Sequence, residues 1–348
     1  SASIAVLVIA CPCALGIAVP MSLAVATAQG AKRGMVIRNP DALAVLNKVD
    51  TIVLDKTGTL TDGMLQVQAS IPLGSVQVDE AQQIAAALER GSNHPIAKAL
   101  AGLGTAKNAT DLNEIAGVGL TGLVEGQKYS IGYQDSARLT NQKDLDKEIE
   151  KAGAMTLAVL TRGDEALMLF TLSDRIRPEA KQSIERLKGL GIEPIVMSGD
   201  VTARVRDVAN ELAIEKWHAR VSPEDKLQLL AELKTLGKTT AMVGDGLNDV
   251  AALAGADVGI AMGSGTHAAQ SAAAVTILDD SPLGISYAMD LSRRTWRNIR
   301  QNLIWAFGYN VILIPVAAMG LLNPMLGGAA MAFSSVSVVL NALRLRSR

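Results

Sequence analysis

The sequence predicts a multi-domain α/β protein: a doubly wound parallel sheet, interrupted by an inserted α+β unit and carried on three membrane-spanning helices. Three observations predict it. Short apolar runs lead into Asp55, Asp200 and Asp245, with helical patterns between them. Residues 1–31 and 301–343 hold no Asp, Glu, Lys, Arg or His. Residues 67–172 break the strand and helix rhythm on either side of them.

At 348 residues the chain exceeds one ordinary domain of about 100–200 residues. Its 33 Lys and Arg against 34 Asp and Glu leave a net charge of -1, which argues against nucleic acid as a partner. A hydrophobic share of 49% with only 19% charged residues is high for a soluble protein, so part of the chain is expected in lipid. Cys11 and Cys13, one residue apart, cannot form a disulfide framework.

A span needs about 20 apolar residues, so residues 1–31 provide one and residues 301–343 two, divided at Asn323-Pro324. A signal peptide places basic residues before its apolar run, whereas here Lys32, Arg33 and Arg38 follow it. Arg293, Arg294, Arg297 and Arg300 precede the second span, and Arg344, Arg346 and Arg348 follow the third. The positive-inside rule puts all three clusters in the cytoplasm. Residues 36–285 are then a cytoplasmic body, with Ser1 at the far face, as in a fragment whose earlier part is missing.

Within that body, Thr51-Ile-Val-Leu-Asp55 reads as a buried parallel strand with a carboxylate at its tip. Residues 193–200 and 239–246 have the same shape, and ligands of open α/β sheets bind at such tips. Helices are expected over 178–190, 202–212 and 223–236, each with Pro or Thr near its start. The insertion should hold helices over 80–90 and from Pro95, with strands over 117–132 and 155–172. The expected units are 1–35 (first span), 36–66 with 173–285 (sheet domain), 67–172 (inserted domain) and 286–348 (two spans and the C-terminus).

Asp55-Lys-Thr-Gly-Thr-Leu-Thr61 carries the chemistry. A carboxylate at a strand tip, followed by a Gly-containing loop whose N–H groups can hold phosphate oxygens, suits in-line attack on a γ-phosphate. The segment resembles the phosphorylation signature of P-type ATPases, of the haloacid dehalogenase-like superfamily, which implies that Asp55 becomes an aspartyl phosphate. Soluble phosphatases of that superfamily usually carry a second Asp two positions on as general acid/base; here the residue is Thr57, which cannot activate water in that way. Val243-Gly-Asp-Gly-Leu-Asn-Asp249 resembles the family's hinge motif. The resemblance implies a Mg²⁺ held by Asp55, Thr57, Asp245 and Asp249, supported by Asn248. It also makes Lys226 the phosphoryl-neutralising lysine. Ser198, Gly199 and Asp200 stand where the family has its phosphate-contacting Thr-Gly-Asp, with Ser for Thr.

In the insertion, Ser92-Asn-His-Pro95 resembles the His-Pro motif of heavy-metal pumps, although the family's usual Glu before the His is Asn93. Pro95 suits a first helical position, leaving His94 at the N-cap with its ring free. The resemblance adds Glu89, Gly117 and Gly119 as elements of an ATP pocket.

Cys11-Pro12-Cys13 sits mid-span, where proline kinks or unwinds a helix. Two thiols at such a break select a soft ion such as Cu(I), with Zn²⁺ as competitor. In the resembling family this triplet marks transition-metal pumps. Tyr309, Asn310, Met331 and Ser335 resemble the patterns that accompany it in the Cu(I) class, and residues 301–343 offer no carboxylate for a hard divalent ion. The resemblance thus implies ATP-driven export of Cu(I), with Ag(I) as mimic, by an integral protein of the plasma (inner) membrane. Its implied partners are ATP, the bilayer, a copper chaperone, and an actuator domain and earlier spans of the same pump. A Zn²⁺ exporter and a membrane-tethered phosphatase are the alternatives.

Overall fold

The computed structural model describes residues 6–7, 13–92, 94–115, 119–132, 139–153 and 155–347. Thirteen strands run through the described residues: β1 Met35–Ile37, β2 Thr51–Asp55, β3 Thr61–Pro72, β4 Ala109–Ile115, β5 Gly119–Val124, β6 Gln127–Gly132, β7 Thr156–Arg162, β8 Glu165–Ile176, β9 Glu193–Met197, β10 Lys216–His218, β11 Thr240–Gly244, β12 Val258–Met262 and β13 Val275–Ile277.

Seven of them form one sheet in the order β1-β13-β12-β11-β2-β9-β10, parallel except where β1 meets β13. All five residues of β2, β11 and β12 are buried, which is why these strands read as unbroken apolar runs. Alternate side chains serve opposite layers. Ile52, Leu54, Val196 and Val243 meet Ile184, Leu187, Val205 and Ala209 of helices Ala180–Gly189 and Thr202–Glu211. Val53, Ile195, Met197 and Met242 meet Leu230 and Leu253 of helices Pro223–Thr235 and Val250–Gly255. The three strands expected from sequence lie side by side at the centre. The outer strands β1, β10 and β13 are three residues each, too short to register as periodic runs.

The second sheet is antiparallel, ordered β3-β8-β7-β6-β5-β4. Helices Val78–Glu89 and Pro95–Ala101 share one core with it through Ile84, Leu88, Leu100 and Phe170. Helix Gln142–Ala152, absent from the sequence expectation, covers a second core through Leu145 and Ile149. Its two apolar side chains, four apart in a highly charged segment, read as a solvated loop until the sheet supplies a partner. The strands β3 and β8 are 12 residues each and pair from Thr61 with Ile176 out to Pro72 with Met168. This ribbon runs from the Asp55 loop into the second sheet.

Two helices among the described residues are long and apolar enough to cross a membrane, Leu283–Ala318 and Met325–Arg346. Three spans were expected. The described part of the first is helix Cys13–Lys32, packed against both others, while Cys11 and Pro12 lie outside the described residues. The expected break at Asn323 is present, its side chain capping the next helix by accepting from the Met325 N–H at 2.9 Å.

Helix Leu283–Ala318 is 36 residues, about 54 Å at 1.5 Å per residue, so it is both span and stem. Ile285, Ala288, Met289 and Leu291 belong to the core of the parallel sheet. The Ser183 hydroxyl donates to the Pro282 carbonyl at 2.6 Å, and the Ser292 hydroxyl donates to that of Leu43. Farther along, Ser22, Asn298, Asn302 and Asn341 link three helices. Ser22 donates to Asn298 Oδ1 at 2.9 Å, Asn302 Nδ2 to Ser22 Oγ at 3.2 Å, and Asn341 Nδ2 to Asn302 Oδ1 at 2.9 Å.

Candidate active site

Asp55 ends β2 with Met197 of β9 beside it in register, and β11 lies on the other side. Loops after the three central strands therefore converge on its carboxylate. Its Oδ2 accepts from the Thr57 N–H at 2.9 Å, and its Oδ1 accepts from Lys226 Nζ. Lys226 also lies 2.7 Å from Asp249 Oδ1, and all three side chains are buried. A reciprocal capping box, Ser222 with Asp225, starts helix Pro223–Thr235 and so fixes Lys226 at its first turn.

Asp245, in the loop after β11, offers an oxygen that lies within 4.8 Å of oxygens from both Asp55 and Asp249. Gly58 makes that approach possible. Its φ is +71°, and a Cβ there would stand 1.7 Å from Asp245 Oδ2. Burial, then the neighbouring Asp249 charge, raises Asp55 to about 7 against the opposing pull of Lys226. Burial and Asp249 likewise raise Asp245 to about 6. Burial disfavours the Lys226 charge, but Asp55 and Asp249 outweigh it and its pKa is raised. Negative charge thus exceeds positive charge here, and three hard carboxylate oxygen donors fit a Mg²⁺ ion.

Ser198 follows β9, buried, its hydroxyl accepting from the Asp200 N–H at 3.2 Å. Gly199 is the middle residue of that turn. Asp200 faces Lys56 at 2.9 Å and Arg204 at 3.9 Å. Asn248 is exposed on the turn Leu247–Asp249 and forms no side-chain hydrogen bond among the described residues.

Sequence reasoning did not single out Lys56, Asp174 or Arg177. Buried Lys56 lies 3.7 Å from Asp174, and the Gly63 N–H donates to Asp174 Oδ1 at 3.0 Å. Arg177 donates to the carbonyls of Thr61 at 3.0 Å and Gly58 at 3.3 Å, bracing the Asp55 loop from the end of β8. The signal for Asp174 and Arg177 was the charged run Asp174-Arg-Ile-Arg177 at the end of an apolar strand. A cleft of about 840 Å³ opens beside this loop, lined by Lys56, Thr57, Lys151, Asp174, Asp200 and Arg204.

Residues 49–257 match the haloacid dehalogenase-like hydrolase family. The chain is 41% identical over 357 residues to a copper-exporting P-type ATPase of Staphylococcus saprophyticus, covering 99% of this chain and 44% of that protein. It is 41% identical over 363 residues to a silver exporting P-type ATPase of Salmonella typhimurium, again over 99% of this chain and 44% of the relative. Among solved structures, the catalytic CPx-ATPase domain CopB-B matches at 30% identity and a TM-score of 0.55, covering 77% of this chain and 98% of that one. The chain belongs to the haloacid dehalogenase-like hydrolase family and, within it, to the P-type ATPases. A zinc-transporting PIB-type ATPase in its E2.Pi state superposes with a TM-score of 0.88 at 33% identity, over 97% of this chain and 56% of that chain. The chain spans about half the length of the curated relatives it matches.

Beside the antiparallel sheet, Glu89 ends helix Val78–Glu89, buried. Burial, then Glu114 on β4, raises it to about 7. His94 is the N-cap of helix Pro95–Ala101, as expected, but its ring is not wholly free. Nδ1 accepts from the Ile96 N–H at 3.3 Å, leaving Nε2 available. Gly119 opens β5 with φ +135°, and a Cβ there would meet the Ile131 carbonyl oxygen at 2.1 Å. Gly117 lies outside the described residues.

Of the expected transport residues, Cys11 and the Cys13 side chain lie outside what is described. Tyr309 packs its ring 6.3 Å from that of Trp305. Asn310 carries a buried Oδ1 without a hydrogen-bond partner among the described residues. The Ser335 hydroxyl donates to the Met331 carbonyl at 3.2 Å, and the Met331 side chain is half-buried.

Proposed function

We propose that the chain is the catalytic part, and part of the transport path, of an ATP-driven Cu(I) exporter working through an aspartyl phosphate. A carboxylate oxygen of Asp55 attacks the γ-phosphorus of ATP in line. The bond to the β,γ-bridging oxygen breaks, ADP leaves, and an acyl phosphate remains on Asp55. Lys226 neutralises charge on the transferred group, and the Ser198 and Thr57 loops position it. Mg²⁺, when held by Asp55, Asp245 and Asp249 with Thr57, supplies further neutralisation of phosphate charge. The observation that carries this reading is the buried Asp55 carboxylate held by Lys226 beside two further acids. Thr57 offers no general base, so the phosphoenzyme persists. ATP binds in the insertion through Glu89, His94 and the Gly117 to Gly119 turn, and its phosphates reach Asp55 along the cleft.

Copper is favoured by the soft Cys11 and Cys13 pair, by the carboxylate-free spans and by the copper and silver relatives. Tyr309, Asn310, Met331 and Ser335 complete the ligand set, and the unpartnered Asn310 oxygen is consistent with that role. An actuator domain, earlier spans of the pump and a copper chaperone are the proposed partners. A zinc exporter is the second reading, favoured by the superposition on a zinc-transporting pump. The test compares acid-stable phosphoenzyme formed from γ-labelled ATP with Cu(I), Ag(I) and Zn²⁺ in the intact pump, wild type against Asp55→Asn. Copper- and silver-dependent label that vanishes in the variant is expected. Label that depends on Zn²⁺ alone would transfer the assignment to zinc, and label surviving in Asp55→Asn would remove the nucleophile.

A further inference from the structure

Among the described residues, four cations line the cleft beside the Asp55 loop, and three of them are held. Lys56 faces Asp200 at 2.9 Å and Asp174 at 3.7 Å, Lys151 lies 2.6 Å from Glu148, and Arg204 stands 3.9 Å from Asp200. Arg175 is exposed and forms no hydrogen bond or ion pair among the described residues. It precedes Ile176 of β8, which pairs with Thr61 where the Asp55 loop ends. Its neighbour Asp174 turns into that loop, accepting from the Gly63 N–H and the Thr61 hydroxyl. Arg175 is thus carried to the cleft by the ribbon that joins the two sheets, and it braces nothing there.

Given the phosphoryl transfer proposed above, on which this step rests, the cleft needs a cation that can move. When an Asp55 oxygen forms its bond to the γ-phosphorus, the electron pair of the breaking bond passes to the β,γ-bridging oxygen. The departing ADP gains negative charge, no proton moves, and in a loose transition state much of that charge has already arrived. Lys226 serves the opposite end, since it is held between Asp55 and Asp249. An in-line displacement places the leaving oxygen on the far side of the γ-phosphorus from Asp55. A guanidinium fork matches phosphate oxygens in pairs, and an arginine with no partner to give up can reach them.

We propose that Arg175 binds the β-phosphate of ATP in the cleft and neutralises the charge that develops on the departing ADP. It serves the leaving group as Lys226 serves the transferred group. Phosphorylation of Asp55 by ATP then depends on Arg175. Phosphorylation by inorganic phosphate, the reverse of hydrolysis, does not, because water is the group that leaves.

The test uses the intact pump. Acid-stable phosphoenzyme is formed from saturating γ-labelled ATP with Cu(I) and, separately, from labelled inorganic phosphate, in wild type, Arg175→Gln and Arg175→Lys. The residue is exposed, so neither substitution disturbs a core. The initial rate with ATP should fall about 10²-fold in Arg175→Gln, the scale of removing one donor to a developing charge. It should fall less in Arg175→Lys, which keeps the charge and loses the fork. Labelling by inorganic phosphate should change by less than about twofold in both, and discharge of the phosphoenzyme by added ADP should slow in Arg175→Gln. Equal losses with the two donors would mean that Arg175 holds the cleft through Asp207 or Glu211, which also line it. That result, or an unchanged rate with ATP, would overturn the proposal. Wild type labelled by neither donor would remove the aspartyl phosphate itself, and this role with it.

Discussion

In the proposed function, the residue that separates this site from a phosphatase is Thr57. Its amide holds the Asp55 carboxylate, but its side chain carries no group that can take a proton from water. Thr57→Asp is expected to shorten the phosphoenzyme lifetime by about 10²-fold, the usual scale of general-base assistance. A chase of labelled phosphoenzyme with unlabelled ATP measures it, and an unchanged decay would mean that water has no access to the acyl phosphate. Glu89 allows a second test. Its pKa is raised to about 7 from 4.5, so between those values the folded chain holds a proton that the unfolded chain has lost. Stability contributed by that proton is present at low pH and is lost as pH rises through 7. Glu89→Gln removes the cost of the buried charge. It should stabilise the protein by about 1–3 kcal/mol at pH 8 and by much less at pH 5. Thermal unfolding at the two pH values checks this, and a pH-independent effect would point to packing instead.

At the scale of elements, the stem helix carries the argument. One face of its first two turns is core of the parallel sheet, and Asn298 and Asn302, farther along, are knots between helices. Asn302→Leu keeps most of the volume but deprives Asn341 Nδ2 of an acceptor and Ser22 of a donor. Buried hydrogen bonds lost in water-soluble cores cost about 1–3 kcal/mol. Between membrane helices the unfolded reference also finds partners, and measured couplings average about 0.6 kcal/mol. The smaller figure governs here, so the variant should lose about 1 kcal/mol. A double-mutant cycle with Ser22→Ala should give a coupling near 0.6 kcal/mol, and zero coupling would mean that the network does not act as a unit.

For the whole molecule, two sheets are joined by the β3 and β8 ribbon, with the cleft between the Asp55 loop and the antiparallel sheet. In the proposed function a nucleotide bound beside the antiparallel sheet has to bring its γ-phosphate to Asp55, so binding should close the cleft. Hydrogen exchange with and without a non-hydrolysable ATP analogue reads this directly. Amides of Thr156, Ser173 and Arg175, which line the cleft, should gain protection, while those of β12, buried in the far side of the parallel sheet, should not change. Protection spread evenly over both sheets would indicate general stabilisation and no closure.

The sequence by itself determined the class of fold and where the acids of the candidate site stand in it. A buried parallel strand has to be apolar on both faces, and a carboxylate at its tip has to stand where loops converge, so β2, β9, β11 and Asp55 were legible from spacing alone. The clustering of Asp245 and Asp249 on Asp55 followed from motifs. Only the tertiary structure decided the supports. Lys56 meets Asp174, and Arg177 reaches the Asp55 loop, because β3 and β8 pair across more than 100 residues of intervening chain at that end, a register that no local pattern encodes. Helix Gln142–Ala152 exists because a sheet face needed covering, and β10 because the edge of β9 offered unpaired N–H and C=O groups to three residues. Arg175 is visible in the sequence as one of a run of charges. That it stands exposed in the cleft depends on the ribbon that sets the end of β8 beside the Asp55 loop, which is fixed by pairing and not by periodicity.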